Sequence, residues 1–207
     1  MYRPVAYAID TAELLHAVMR KRSFATVAAV IEDKLRFAYA PVVVDAEPRP
    51  FGAVRFHLAR ANPMSGVDET PVLLSFLAAD AYVSPDWYET KGFVPTWNYI
   101  AVEAEGRARA LDESELRQLL IVLSAAAEEP LRPKLPWTID KVPEERRTML
   151  LNRIRGFHVV LERLEGKFKL SQDKKPADTA AVISALEARG DEASRAIAHA
   201  MRTSQVS

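Results

Sequence analysis

Short apolar runs separated by polar or proline-bearing breaks fill the first half of the chain, and helical spacing takes over in the second half. Asp10-Thr11-Ala12-Glu13 reads as a helix start, with Asp10 as cap and Glu13 three residues on. Leu14, Leu15 and Val18 carry an apolar stripe to Arg20-Lys21-Arg22, a basic end that suits a helix C-terminus. From Ser23 the period changes. Segments 23–31, 35–44, 51–61, 71–77, 81–84 and 94–110 are rich in β-branched and aromatic residues and predict strands. Leu116, Leu119, Leu120 and Leu123 then predict a helix over 112–127, and Pro143 opens a shorter one through Leu150, Leu151 and Ile154. Segment 155–164 alternates as a strand, and 167–178 reads as a polar stretch. Two alanine-rich helices, 178–190 and 191–201, are broken at Gly190-Asp191, a C-cap glycine followed by an N-cap aspartate.

Strands and helices do not alternate regularly, which argues against a parallel doubly wound sheet. The pattern predicts a mainly β, α+β architecture: an antiparallel barrel with peripheral helices. The expected division is a barrel domain over 1–175 with a helical appendage, 176–207, packed on it.

Composition narrows the chemistry more than the fold. The chain has 207 residues, 49% hydrophobic and 27% charged, an ordinary globular balance with enough length for one full core. Lysine plus arginine equals aspartate plus glutamate, 28 against 28, so no global field favours DNA or an anionic membrane. Cysteine is absent, which excludes disulfides, thiolate metal sites and thiol catalysis, and fits a reducing compartment. The N-terminus lacks a secretory pattern, and no apolar run approaches the roughly 18 residues of a membrane span. The expected location is the cytoplasm. The seven glycines form neither a dinucleotide fingerprint nor a P-loop. The four histidines are scattered, and there is no Gly-x-Ser-x-Gly elbow. No metal site and no catalytic residue is assigned.

Four polar–aromatic blocks remain. Phe56-His57-Leu58-Ala59-Arg60-Ala61-Asn62-Pro63 ends a strand, with His57 facing away from Phe56 and Leu58 and with Arg60 and Asn62 at the loop. A cation and an imidazole meeting at a strand end suit a phosphate monoester; the alternative is a solvated edge with a salt-bridged arginine. Tyr82-Val83-Ser84-Pro85-Asp86-Trp87-Tyr88 ends another strand by turn chemistry, with Ser84 as a hydroxyl donor. Its aromatics either plug the core or contact a ligand. Val94-Pro95-Thr96-Trp97-Asn98-Tyr99 offers hydrogen-bonding Thr96 and Asn98 around the flat Trp97, the mixture a flavin ring asks for, although such residues also simply close turns. In Gly166-Lys167-Phe168-Lys169-Leu170-Ser171-Gln172, alternation puts Lys167, Lys169 and Ser171 on one side, either a solvated basic loop or an arm reaching an anion.

The set and its order carry a resemblance. His-Leu-Ala-Arg-Ala-Asn-Pro, Ala-Tyr-x-Ser-Pro-x-Trp-Tyr, Val-Pro-Thr-Trp-Asn-Tyr and Leu-Glu-Gly-Lys-Phe-Lys-Leu-Ser-Gln occur here in the block order of the PaiB-type FMN-binding negative transcriptional regulators, which this chain resembles from Met1 to about Met201. The resemblance implies a split β-barrel, as in pyridoxamine-phosphate oxidases and small flavin reductases, with FMN between the two subunits of a homodimer. It implies His57 and Arg60 at the phosphate, with Thr26 and Ser84 as hydroxyl partners. Asn62 and Thr96 border the same site, and Trp97 and Asn98 lie by the ring. Lys169 and Ser171 would reach across from the second subunit. Two segments depart from the family pattern. Ala38-Tyr39-Ala40-Pro41 stands where Thr-His-Leu-Pro is usual, removing a hydroxyl and an imidazole from beside the site. Val102-Glu103-Ala104-Glu105-Gly106 replaces a histidine-bearing strand.

Three functions compete on these grounds. A flavin-binding repressor follows from the resemblance. A flavin-dependent oxidoreductase or flavin reductase needs only a positioned cofactor, since the flavin itself carries the electrons. Direct DNA binding through the last two helices is disfavoured by the acidic start Asp191-Glu192 and the neutral charge balance.

Overall fold

The computed structural model describes residues 1–204. In chain order the strands and α-helices are β1 (Ala8–Ile9), α1 (Ala12–Lys21), β2 (Phe24–Ile31), β3 (Lys34–Asp45), β4 (Ala53–Ala59), β5 (Pro71–Val83), β6 (Thr96–Ala110), α2 (Glu113–Glu128), α3 (Glu144–Leu151), β7 (Ile154–Lys169), α4 (Pro176–Arg189) and α5 (Glu192–Ser204). The strands pair in the order β1-β7-β4-β3-β2-β5-β6, and β6 pairs again with β7, which closes the sheet. The chain divides into two compact units. One holds Ala12–Phe76 and Glu103–Leu164; the other holds Met1–Thr11, Leu77–Val102 and the chain from Glu165 on.

In the barrel unit, strand alternation sorts side chains cleanly. Ala25, Val27, Ala40, Val42, Val54, Phe56, Leu74, Phe157 and Val159 point inward and are buried. Phe56 lies opposite Phe157 across β4 and β7, with ring centroids 5.4 Å apart. Burying each such large side chain contributes about 1.5–3 kcal/mol. α1 lays Leu15 and Met19 into the interior. α2 starts on a complete capping box, with Asp112 accepting from the Glu115 amide and Glu115 accepting from the Asp112 amide. Its Leu116 and Leu119 form a second cluster with Leu151, Val43 and Ile154. Gly156 lets that helix approach, because a Cβ there would meet Leu116 Cδ1 at 3.0 Å and Leu111 Cδ1, just before the helix, at 2.8 Å.

In the helical unit, α4 and α5 share one core with the end of β5. Val182, Ile183, Leu186, Ile197 and Met201 pack with Ala81, Val83, Tyr88 and Leu170. Gly190 adopts φ 72°, and the Asp191 carboxylate then accepts from the Ser194 amide at 2.9 Å.

Several predicted boundaries move. Segments 71–77 and 81–84 are one strand, continuous through Ala78-Ala79-Asp80. Ile154 opens β7 instead of closing α3, and β7 runs on to Lys169, so 167–169 is strand and not loop. The reason is tertiary: Lys167 and Gly166 pair with Ala8 and Ile9 of β1, a two-residue strand with no local signature.

Candidate functional site

Four of the candidate residues lie in the barrel unit, three of them at the end of β4 and the turn beyond it. His57 faces outward, opposite Gly156. It is half-buried, its Nδ1 has no partner, and loss of water holds its pKa below the usual histidine value. The imidazole is therefore neutral near neutrality, with an unsatisfied nitrogen that needs a partner. Arg60 is exposed; its Nε donates to the Asn152 carbonyl at 2.9 Å, and among the described residues it has no carboxylate partner. Asn62 uses its side-chain oxygen locally, accepting from the Met64 amide at 2.9 Å to cap a single 3₁₀ turn. Thr26 is half-buried on β2, opposite Tyr39 of β3 and Ser75 of β5.

The outward face around Thr26 is apolar. Phe24 pairs with Pro41, Thr26 with Tyr39, Ala28 with Phe37, and Val30 with Leu35. Phe24, Val30, Leu35, Phe37 and Tyr39 are each 56–67% exposed. A cleft of about 310 Å³ opens beside this face, lined by Ala28, Val30, Leu35, Leu73, Glu105 and Glu162 among others.

The other six candidates lie in the helical unit. Ser84 caps a 3₁₀ turn, its hydroxyl accepting from the Asp86 amide at 3.3 Å. Trp97 is half exposed, with its ring edge-on to Tyr82 at 6.0 Å; Tyr82 in turn meets Trp87. Asn98 is fully buried and donates to Ser171 Oγ at 2.9 Å and to Met201 Sδ at 3.4 Å. Lys169 donates to the Thr96 hydroxyl and to the Trp97 carbonyl. Thr96, Asn98, Lys169 and Ser171 thus help to line one small cavity of about 80 Å³. Of the two aromatics after Ser84, Tyr88 is buried in the unit's core and Trp87 packs against it.

Sequence reasoning missed a polar cleft of about 290 Å³ on the barrel unit, lined by Arg55, Arg109, Ser114, Glu115, Gln118 and His158. Asp45 holds Arg55 through two bonds of 2.6 and 2.9 Å, and Glu115 holds Arg109 in the same way at 2.7 and 3.0 Å. Burial and the nearby guanidiniums lower the His158 pKa. Alternation alone could have placed Arg55 and His158 outward, but their pairing across β4 and β7 was not readable before the register was known.

Residues 1–163 match the family described as "Putative FMN-binding domain". The chain is 29% identical over 189 residues to "Protease synthase and sporulation protein PAI 2" of Bacillus subtilis, covering 90% of this chain and 89% of that one. The chain belongs to the PaiB-type FMN-binding family. FMN is its cofactor. Solved structures agree on the split β-barrel fold. The FAD and heme binding protein from Mycobacterium smegmatis superposes with a TM-score of 0.59 at 14% identity, covering 84% of this chain and 79% of that one. The flavocytochrome Anf3 from Azotobacter vinelandii gives 0.56 at 16% identity, covering 81% and 72%. The residues at the end of β4 fit this family's ligand: an unpartnered imidazole nitrogen and an arginine without a carboxylate are what a phosphate monoester requires. Among the described residues, no helix is long and apolar enough to cross a membrane.

Proposed function

We propose that this PaiB-type protein is a cytoplasmic homodimer that holds FMN where two copies meet along the outward face of β2 and β3, and that it acts as a negative regulator with the flavin as its ligand. The observation that carries this reading is the apolar face itself. Five large side chains, each more than half exposed and set on one face of the β2–β3 pair, form a surface that soluble monomers rarely display. A second copy covers it.

His57 and Arg60 meet the phosphate in this reading, and Thr26 adds a hydroxyl. The arginine supplies a fixed charge and the histidine a directional nitrogen, so together they orient the tail without needing a metal. Asn62 keeps the turn after Arg60 in shape. In the other unit, Trp97, flat and half exposed, offers an apolar surface of the kind a flavin ring takes, and Thr96, Asn98, Lys169 and Ser171 fix the turn that carries it. FMN, when bound, supplies redox capacity. Exclusion of water comes from Phe37 and Tyr39 closing over the flavin at the interface.

The regulatory output is assigned to the flavin state and not to DNA contact by α4 and α5. Those helices turn their apolar residues into their own core, and α5 is capped by Asp191 and opens with Glu192. Such an end repels phosphates.

FMN titration followed by visible absorbance tests this on the wild type and on Phe37→Glu. The wild type saturates, and Phe37→Glu loses dimer and flavin together, with affinity at least tenfold weaker. A monomeric Phe37→Glu that keeps wild-type affinity overturns the reading. NADPH added to the loaded protein leaves the flavin oxidised, whereas steady turnover would make the protein a reductase.

A further inference from the structure

Three lysines line the end of β7 and the turn after it, and their surroundings differ. Lys167 Nζ lies between two aromatic faces, 5.1 Å from the Tyr2 ring centroid and 5.3 Å from that of Tyr99. Lys174 Nζ sits 2.8 Å from the Asp173 carboxylate and 4.7 Å over the Phe93 ring. Lys169 has neither kind of partner. Its ammonium donates to the Thr96 hydroxyl and the Trp97 carbonyl, both neutral, and among the described residues no carboxylate lies within salt-bridge distance. Burial depresses its pKa, with the more distant Asp173 charge opposing that shift. An ammonium carries three donors, and two are used. A half-buried cation held only by neutral oxygens lacks its counter-charge.

The cavity beside it is built with care. Asn98 is fully buried and fixes the Ser171 hydroxyl. Ser171 itself sits at φ 63°, a left-handed conformation uncommon for a residue with a Cβ. Its carbonyl accepts from the Lys174 amide at 3.0 Å and from the Thr179 hydroxyl at 3.3 Å, which holds that conformation in place. Tyr7 is hydrogen-bonded to Asp173, and burial together with that carboxylate pushes its pKa up to about 12, so its hydroxyl stays protonated. Around the cavity, two ammonium groups, Lys169 and Lys174, face one carboxylate, Asp173, leaving a single positive charge. The volume of about 80 Å³ admits a few waters or a molecule of similar bulk. It is far below the roughly 300–1,000 Å³ of pockets for larger ligands such as a flavin.

We propose that this cavity is a binding site for a small monovalent carboxylate of the size of formate or acetate, seated on the third N–H of Lys169. The bound carboxylate completes the electrostatics of the turn that carries Asn98 and Ser171.

Sodium formate is the probe, titrated into the FMN-loaded full chain at constant ionic strength, with the amide resonances of Asn98, Lys169 and Ser171 followed by NMR. Saturable shifts at those residues in the millimolar range are expected, with sodium chloride giving none at matched concentration. Lys169→Met weakens formate binding at least tenfold, and Lys169→Arg, which keeps the charge and its donors, retains it. Thr96→Val, which keeps the lysine but removes one of its neutral partners, still binds formate. Shifts that grow linearly without saturating, saturation at residues outside the cavity, or unchanged binding in Lys169→Met overturn the proposal. So does loss of FMN together with formate in Lys169→Met, which would give Lys169 to the flavin and leave the flavin reading standing.

Discussion

His57 and Arg60 stand three residues apart, yet the fold gives them opposite states. Burial keeps the imidazole neutral with an empty nitrogen, while the guanidinium stays exposed and charged. Their division of labour predicts a selective defect. Arg60→Ala should weaken FMN by about tenfold or more, the worth of a charge-assisted bond of roughly 1.5–3 kcal/mol, and leave riboflavin binding nearly unchanged. Parallel titrations with the two flavins check it, and equal losses would remove Arg60 from the phosphate. Much at this scale was legible in advance. Alternation placed His57 outward, and Thr96 and Lys169 were both singled out, although nothing in the sequence joined them by a hydrogen bond. What sequence could not give is which residue of Trp97-Asn98 turns inward. The buried Asn98 answers to Ser171 and Met201, both more than 70 positions away.

Elements were read well where their own pattern set them and poorly where a partner did. β2, β3, β4 and α2 appear within a few residues of their predicted ranges because alternation and leucine spacing are local signals. The end of β7 was missed because its pairing partner, β1, is only two residues long. Within Val102–Gly106, packing sets the last position. A side chain at Gly106 would drive into the Val160 carbonyl and come within 2.9 Å of Val159 Cγ1, so glycine is what lets β6 lie against β7 and close the barrel. Gly106→Ala should therefore destabilise the protein by roughly 1–3 kcal/mol in urea denaturation. Gly66→Ala, where no neighbouring atom lies within 4 Å of the added carbon, should shift the same midpoint by much less.

For the molecule as a whole, the fold class followed from strands clustered in one half of the chain, and the cofactor followed from the order of the four blocks. The apolar outer face of β2 and β3 was not foreseen, because a strand buried on both faces and a strand with one face waiting for a partner carry the same run of hydrophobic residues. In the proposed reading that face ties the flavin to assembly. Sedimentation velocity of the FMN-loaded protein, recorded at visible and ultraviolet wavelengths together, tests the link most directly. The account predicts a single boundary at the mass of two chains carrying all the yellow absorbance, with one FMN per chain. Flavin travelling with a single-chain species, or a dimer that sediments colourless in excess FMN, would contradict it.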